Sequence, residues 1–318
     1  MSKFVIIPDT SCDLTKDLRE KYGITDYLHG ILYYPDGREE VASLDWESMT
    51  AKEYYDSMKG RKALYSTATP PLGNILETFE KHLKEGNDIL SISLSGALSS
   101  SYSNTVKVSE ELLEKYPERK IICIDSMRYS TSLALLIIEA CKKKEEGKSI
   151  EEVAQYINEI KTSIHQIGSM DDLFFLVKKG RLTNFKAFFG QMIGLNVIAD
   201  FNRNGMSEVI GKIKGQRDAI DSFIEYMAKI AVDIENQTVF VAHTNREAAA
   251  KLLAEKIKER FSPKEIIINT VGVVCGASIG PGLCAAFYKG IPTSENMETE
   301  KAIMEDIIKS IKNKGESK

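Results

Sequence analysis

The chain has little histidine and less tryptophan, four and one residues among 318, and its five cysteines are odd in number with no C-x-x-C spacing. Cys12, Cys123, Cys141, Cys275 and Cys284 are scattered. That argues against a disulfide framework or a zinc site and for buried structural thiols in a reducing compartment. His29, His82, His165 and His243 lie too far apart for a metal-ligand spacing. There is no G-x-x-x-x-G-K-[ST] loop, no G-x-G-x-x-G after the first apolar run and no H-E-x-x-H. The longest mostly apolar run, Leu133 to Ala140, already contains Glu139, whereas a membrane span needs ~20 apolar residues. Phe4 to Ile7 is too short for a signal peptide and runs straight into Pro8-Asp9. A net charge of −4 offers no general attraction for polyanions. These absences point to a cytoplasmic protein with no nucleic-acid partner, no cofactor, no metal and no stable membrane insertion.

What is present is the balance of a globular protein, 43 % apolar and 28 % charged, long enough for two domains. Phe4 to Ile7, Asp88 to Ile92 and Ile121 to Ile124 are short apolar runs of the kind buried on both faces of a parallel sheet. Helices are expected between them, at Leu14 to Tyr22, Leu72 to Lys84, Tyr102 to Lys115 and Thr131 to Lys144. The first part therefore reads as an open α/β sheet flanked by helices, spanning 1–165 and closed by a further helix at Ile150 to Ile164. The second part, 166–292, reads as a smaller α+β domain, with a hairpin at Asn196 to Ala199 and Ser207 to Ile213 and a strand at Glu265 to Val274. Residues 293–318 form a helical extension with Ile303, Ile307, Ile308 and Ile311 on one face.

Ligands of open parallel sheets bind outside the carboxyl ends of the strands. All three first-half strands end in acids or hydroxyls: Asp9-Thr10-Ser11, Ser93-Leu94-Ser95-Gly96 and Asp125-Ser126. A fourth cluster, Ser66 to Pro71, opens a helix. Hydroxyls and free N–H groups at helix starts suit a carboxylate or phosphate, although each cluster also reads as ordinary caps and turns. Gly276-Ala277-Ser278-Ile279-Gly280 fits the nucleophile elbow of serine hydrolases, yet no histidine follows Ser278. A glycine-rich turn that approaches an anion, or a plain tight turn, is the better reading. Phe174, Phe175, Phe185, Phe188 and Phe189, followed by Met192 and Ile193, crowd one stretch that is either core or the lining of a pocket for something long and apolar. Between Lys178 and Arg217 eight basic residues face two acids, a solvated surface or a dock for an acidic partner.

Taken in order, these motifs resemble the DegV family of bacterial fatty-acid-binding proteins. Asp9 to Leu14 is similar to the opening D-[ST]-[ST]-x-D-L, and Ser66 to Pro70 to T-[ST]-Q-P. Ile92 to Asn104 resembles I-x-L-S-S-x-[LI]-S-G-[ST]-Y-x-[NS], Asp172 to Leu182 resembles D-L-x-x-L-x-x-G-G-R-[IL], and Gly280-Pro281-Gly282 the terminal H-x-G-P-G. The resemblance implies a long-chain fatty acid in an apolar tunnel between an α/β domain and an α+β domain. It implies no catalytic residue in the chain, since a separate fatty-acid kinase phosphorylates the presented carboxylate. By this mapping Thr67, Ser95, Ser278 and Gly282 hold the carboxylate, with Asp9, Ser11, Ser99 and Asp125 behind them. Phe174, Phe188, Phe189, Met192 and Ile193 line the tunnel, and Arg181, Lys214 and Arg217 form the head-group and partner face. The chain departs from the family at Ser278, which stands for a histidine, and at Thr69, Gly96, Ser100 and Lys214. The alternatives are a diverged carrier of another apolar acid without kinase coupling, an acyl hydrolase using Ser278, or a phosphotransferase.

Overall fold

The structure, a computed structural model, describes residues 3–183 and 194–316. Strand β1 (Phe4–Pro8) leads through α1 (Lys16–Lys21) into a flap of β2 (Ile31–Tyr33), β3 (Glu39–Val41), α2 (Ala51–Met58) and β4 (Ser66–Ala68). Then α3 (Leu72–Lys84), β5 (Asp88–Ser93), α4 (Ser101–Lys115), β6 (Ile121–Asp125), α5 (Thr131–Glu145) and α6 (Ile150–Ile160) follow. The second half opens with β7 (Ile164–Met170), α7 (Phe174–Lys178), β8 (Leu182–Thr183) and the hairpin β9 (Leu195–Phe201) and β10 (Ser207–Lys214). It continues through α8 (Gln216–Ile230), β11 (Thr238–His243), α9 (Glu247–Phe261), β12 (Glu265–Thr270), α10 (Val273–Ile279), β13 (Leu283–Lys289) and α11 (Glu298–Glu316).

Strands β1, β5 and β6 form a parallel sheet with β5 in the middle. Alternate residues supply its two cores. Phe4, Ile6, Leu90 and Ile92 face α5 and α6, while Ile7 and Ile89 face α3 and α4. A separate seven-stranded mixed sheet runs in the order β12-β11-β13-β7-β9-β10-β8, and the flap strands pair as β3-β2-β4. Helix α5 is sandwiched between the sheets and touches β1, β7 and β13. Its residues from Thr131 to Ile138 are all buried, as expected of a helix that is apolar all round. The far face of the large sheet is covered by α8, α9 and α11.

Two stretches differ from the expectations. The helix expected to run to Ile164 ends at Ile160, and β7 begins at Ile164. Its sequence, Ile164-His165-Gln166-Ile167-Gly168, mixes polar and apolar residues on both faces of the sheet and so forms no continuous apolar run. The strand expected to reach Val274 stops at Thr270, and the glycine-rich turn after it is helix α10. Its glycines are packing contacts: a Cβ on Gly272, Gly276 or Gly280 would lie within 2.6 Å of Asp13, Tyr55 or Phe175, respectively. Tyr54 and Tyr55 of α2 donate to the Val273 and Val271 carbonyls at 3.0 and 2.6 Å, which ties the flap to α10. No helix among the described residues is long and apolar enough to cross a membrane.

Candidate functional site

The carboxyl ends of β1 and β5, the flap strand β4, the start of α4 and the helices α7 and α10 enclose a cavity of about 380 Å³, within the range of small-molecule sites. Six of the sequence-selected residues meet there: Asp9, Ser11, Thr67, Ser99, Arg181 and Ser278. They are drawn from both halves of the chain. Gly180, at φ +66°, ends α7, and the Arg181 N–H then donates to the Leu176 carbonyl at 2.8 Å, a turn that sets Arg181 and Leu176 on the same wall. Arg181 is the only basic residue among the described lining, and no histidine lines the cavity. The Thr67 and Ser278 hydroxyls have no hydrogen-bond partner among the described residues and border the open space.

Behind these hydroxyls lies a buried acidic frame. Asp9 accepts from the Ser11 N–H at 2.9 Å, from the Ser11 hydroxyl and from the Leu94 N–H at 3.0 Å, so one carboxylate braces the ends of β1 and β5. Burial raises its pKa against the pull of those three donors. Asp13 accepts from the Ser130 hydroxyl, and burial pushes it up to about 7. The Cys275 thiol lies 3.4 Å from the Ser11 carbonyl, and burial lifts it well above its ordinary value, so it stays a neutral thiol and a poor nucleophile. All five cysteines are free.

The remaining selected residues lie elsewhere. Ser95 is buried against the tip of the β9–β10 hairpin, where a Cβ on Gly205 would lie 2.1 Å from its Oγ. Asp125 accepts from the Gly96 and Met127 N–H groups at 3.1 and 2.8 Å and braces two loops. Gly282, at φ +108°, donates to the Thr244 carbonyl at 2.9 Å and accepts from Arg246. Phe174 packs under the Arg61 guanidinium instead of lining the cavity. Lys214 is exposed at the end of β10, and Arg217 lies on an open groove formed by α8, α9 and α11. Phe188, Phe189, Met192 and Ile193 lie outside the described residues.

What the sequence reading missed is the wall that continues from this cavity. Tyr129, Leu176 and Ile279 line both it and an adjoining apolar slot. The slot floor takes every second residue of three neighbouring strands: Gln166, Gly168 and Met170 of β7, Val197 and Ala199 of β9, Ser207 and Val209 of β10. Its free volume is about 20 Å³, room for one water, so a long tail enters only by parting the side chains. Nothing in the sequence singles out Tyr129.

Comparison with known proteins sets this geometry in context. The DegV family, described as uncharacterised proteins, matches residues 3–290. A DegV domain-containing protein of Clostridium perfringens is 31 % identical over 290 residues, 91 % of this chain and 98 % of the relative. The chain belongs to the DegV family. A second C. perfringens DegV domain-containing protein is 30 % identical over 88 % of the chain and 96 % of its own length. Among solved structures, a fatty-acid-binding DegV family protein of Thermus thermophilus superposes with a TM-score of 0.82 at 21 % identity, covering 92 % of this chain and 100 % of that one. A DegV lipid-binding protein of Thermotoga maritima gives 0.79 at 23 % identity, covering 91 % and 99 %. These likenesses establish the DegV fold. Helix α11 begins after the last residue matched by the family.

Proposed function

We propose that this DegV protein is a long-chain fatty-acid carrier that presents the acid's carboxylate and performs no chemistry on it. The observation that carries the reading is that a hydroxyl-rimmed cavity and an apolar slot lie side by side, sharing Tyr129, Leu176 and Ile279 as their common wall. Thr67, Ser99 and Ser278 donate to the carboxylate and Arg181 supplies the positive charge. The start of α4 at Ser101 adds the favourable end of its dipole. The tail runs over the slot floor, where a sixteen-carbon chain gains a gross ~12 kcal/mol before ordering and opening costs. Head-group bonds then set orientation more than affinity, which accommodates a serine at position 278 in place of the family histidine. The recipient is a separate fatty-acid kinase of the cytoplasm, docking near Arg181 where the carboxylate end of the cavity lies.

Replacement of one donor tests the head-group assignment. Thr67→Ala is expected to weaken palmitic acid about fivefold, the value of roughly one hydrogen bond, and to leave methyl palmitate unchanged. Equal losses for acid and ester would show that Thr67 does not touch the head. A phosphorylation assay with the cognate kinase reads the coupling separately from binding.

A further inference from the structure

The apolar slot has a polar station in its floor. Tyr129, Gln166 and Ser207 are each at most 7 % exposed, and all three line the slot among leucine, valine and methionine side chains. The Tyr129 hydroxyl lies 2.9 Å from the Ser207 hydroxyl, and the Gln166 side chain approaches it from β7. A carboxamide has two N–H donors and an acceptor oxygen, more than its contact with the Tyr129 hydroxyl can use. The strand fixes where that amide points. The neighbouring His165 turns to the opposite face of β7, where its ring stacks on Tyr288, and the Gln166 backbone N–H is held by Asp200 at 2.8 Å. Gln166 is thus committed to the slot.

A plain alkyl chain laid over this station would bury the unspent amide valences without a partner, an arrangement that folded proteins avoid. The adjoining void takes about one oxygen atom. We infer that the slot selects acyl chains bearing a hydroxyl or keto oxygen part-way along, with Gln166 and Tyr129 as the residues that read it. This inference rests on the fatty-acid reading and narrows its ligand class. The oxygen exchanges hydrogen bonds with the amide and the phenol; no bond is made or broken.

The test uses the full-length protein stripped of lipid and titrated with stearic acid and with 9-, 10- and 12-hydroxystearic acids. At least one hydroxy acid is expected to bind about tenfold more tightly than stearic acid, a difference of about 1.4 kcal/mol. In Gln166→Leu that advantage should fall below about threefold while stearic acid binds as well or better. Tyr129→Phe, which deletes a single oxygen, should reduce it in the same direction. If no hydroxy acid exceeds stearic acid in the parent protein, or if Gln166→Leu keeps the full advantage, the inference is wrong and the fatty-acid reading stands. Failure of the parent protein to bind any of the four acids removes both.

Discussion

The head cavity and the buried cluster around His165 are made of the same kinds of group, yet they differ in what remains unspent. His165 Nδ1 lies 2.6 Å from Asp200, and its Nε2 lies 2.8 Å from the Ile291 carbonyl. Asp200 also accepts from the Gln166 and Phe201 N–H groups and from the Tyr226 hydroxyl, at 2.8, 2.7 and 2.9 Å. Every valence of that imidazole is satisfied by the protein, and both side chains are fully buried. In the cavity, Asp9 is similarly bonded, but the Thr67 and Ser278 hydroxyls border open space with no partner among the described residues. A histidine–aspartate pair invites a catalytic reading. Closure of its hydrogen bonds makes this one a strut, and the plain hydroxyls are the groups left to act on a ligand.

The contrast can be broken most forcefully at Asp200. Burial alone would lower the His165 pKa, but Asp200 and the Ile291 carbonyl outweigh it and raise the net value. Burial alone would raise Asp200, but His165 and two backbone N–H groups bring it below the ordinary range. Asp200→Ala removes what keeps the buried His165 charged and leaves the buried Arg128 guanidinium without its counter-charge, which should cost about 3–5 kcal/mol in urea unfolding. The pH dependence has two limbs. The His165 contribution is full below the unfolded value of 6.5 and is lost as pH rises through its higher folded value. The Asp200 contribution is present above 3.8 and is lost as pH falls through its lower folded value. Both limbs should vanish in the variant. If unfolding stability stays within ~0.5 kcal/mol of the parent, the pair is not the strut described.

A second pH effect sharpens the comparison from the cavity side. Burial raises Asp13 from 3.8 to about 7, so the folded state holds a proton that the unfolded chain has released. Stability should therefore fall as pH rises between those values, by at most about 1.4 kcal/mol per unit. Asp13→Asn should flatten that slope; an unchanged slope would place the proton on another group. Smallest of all is the effect of Thr67→Ala on folding. Its partly exposed hydroxyl has no other partner among the described residues, and a change beyond ~0.5 kcal/mol would contradict the assignment of its role to ligand alone.

Much of this was legible in the residues. Strands β1, β5 and β6 declared themselves as short apolar runs because both their faces are buried, and the D-T-S, S-T-A-T-P and G-A-S-I-G segments reach one cavity from distant parts of the chain. Strands β7 and β13 were not read. In β7 one face carries His165 and Ile167 into a core while the other carries Gln166 and Gly168 to the slot, so no run stands out. Ser95 misled because the motif showed only its neighbours in sequence; its packing partner, Gly205, is in the other half of the fold. The G-x-S-x-G pattern was read as a tight turn and folds as α10, its glycines serving close approach to Tyr55 and Phe175.

The most direct measurement is the acyl content of the protein itself. Solvent extraction of the purified full-length chain followed by mass spectrometry, with palmitic acid titrated into the stripped protein, should find a fatty acid near one per chain and recover that stoichiometry on titration. A chain that yields no acid and takes up none when it is offered would contradict the account.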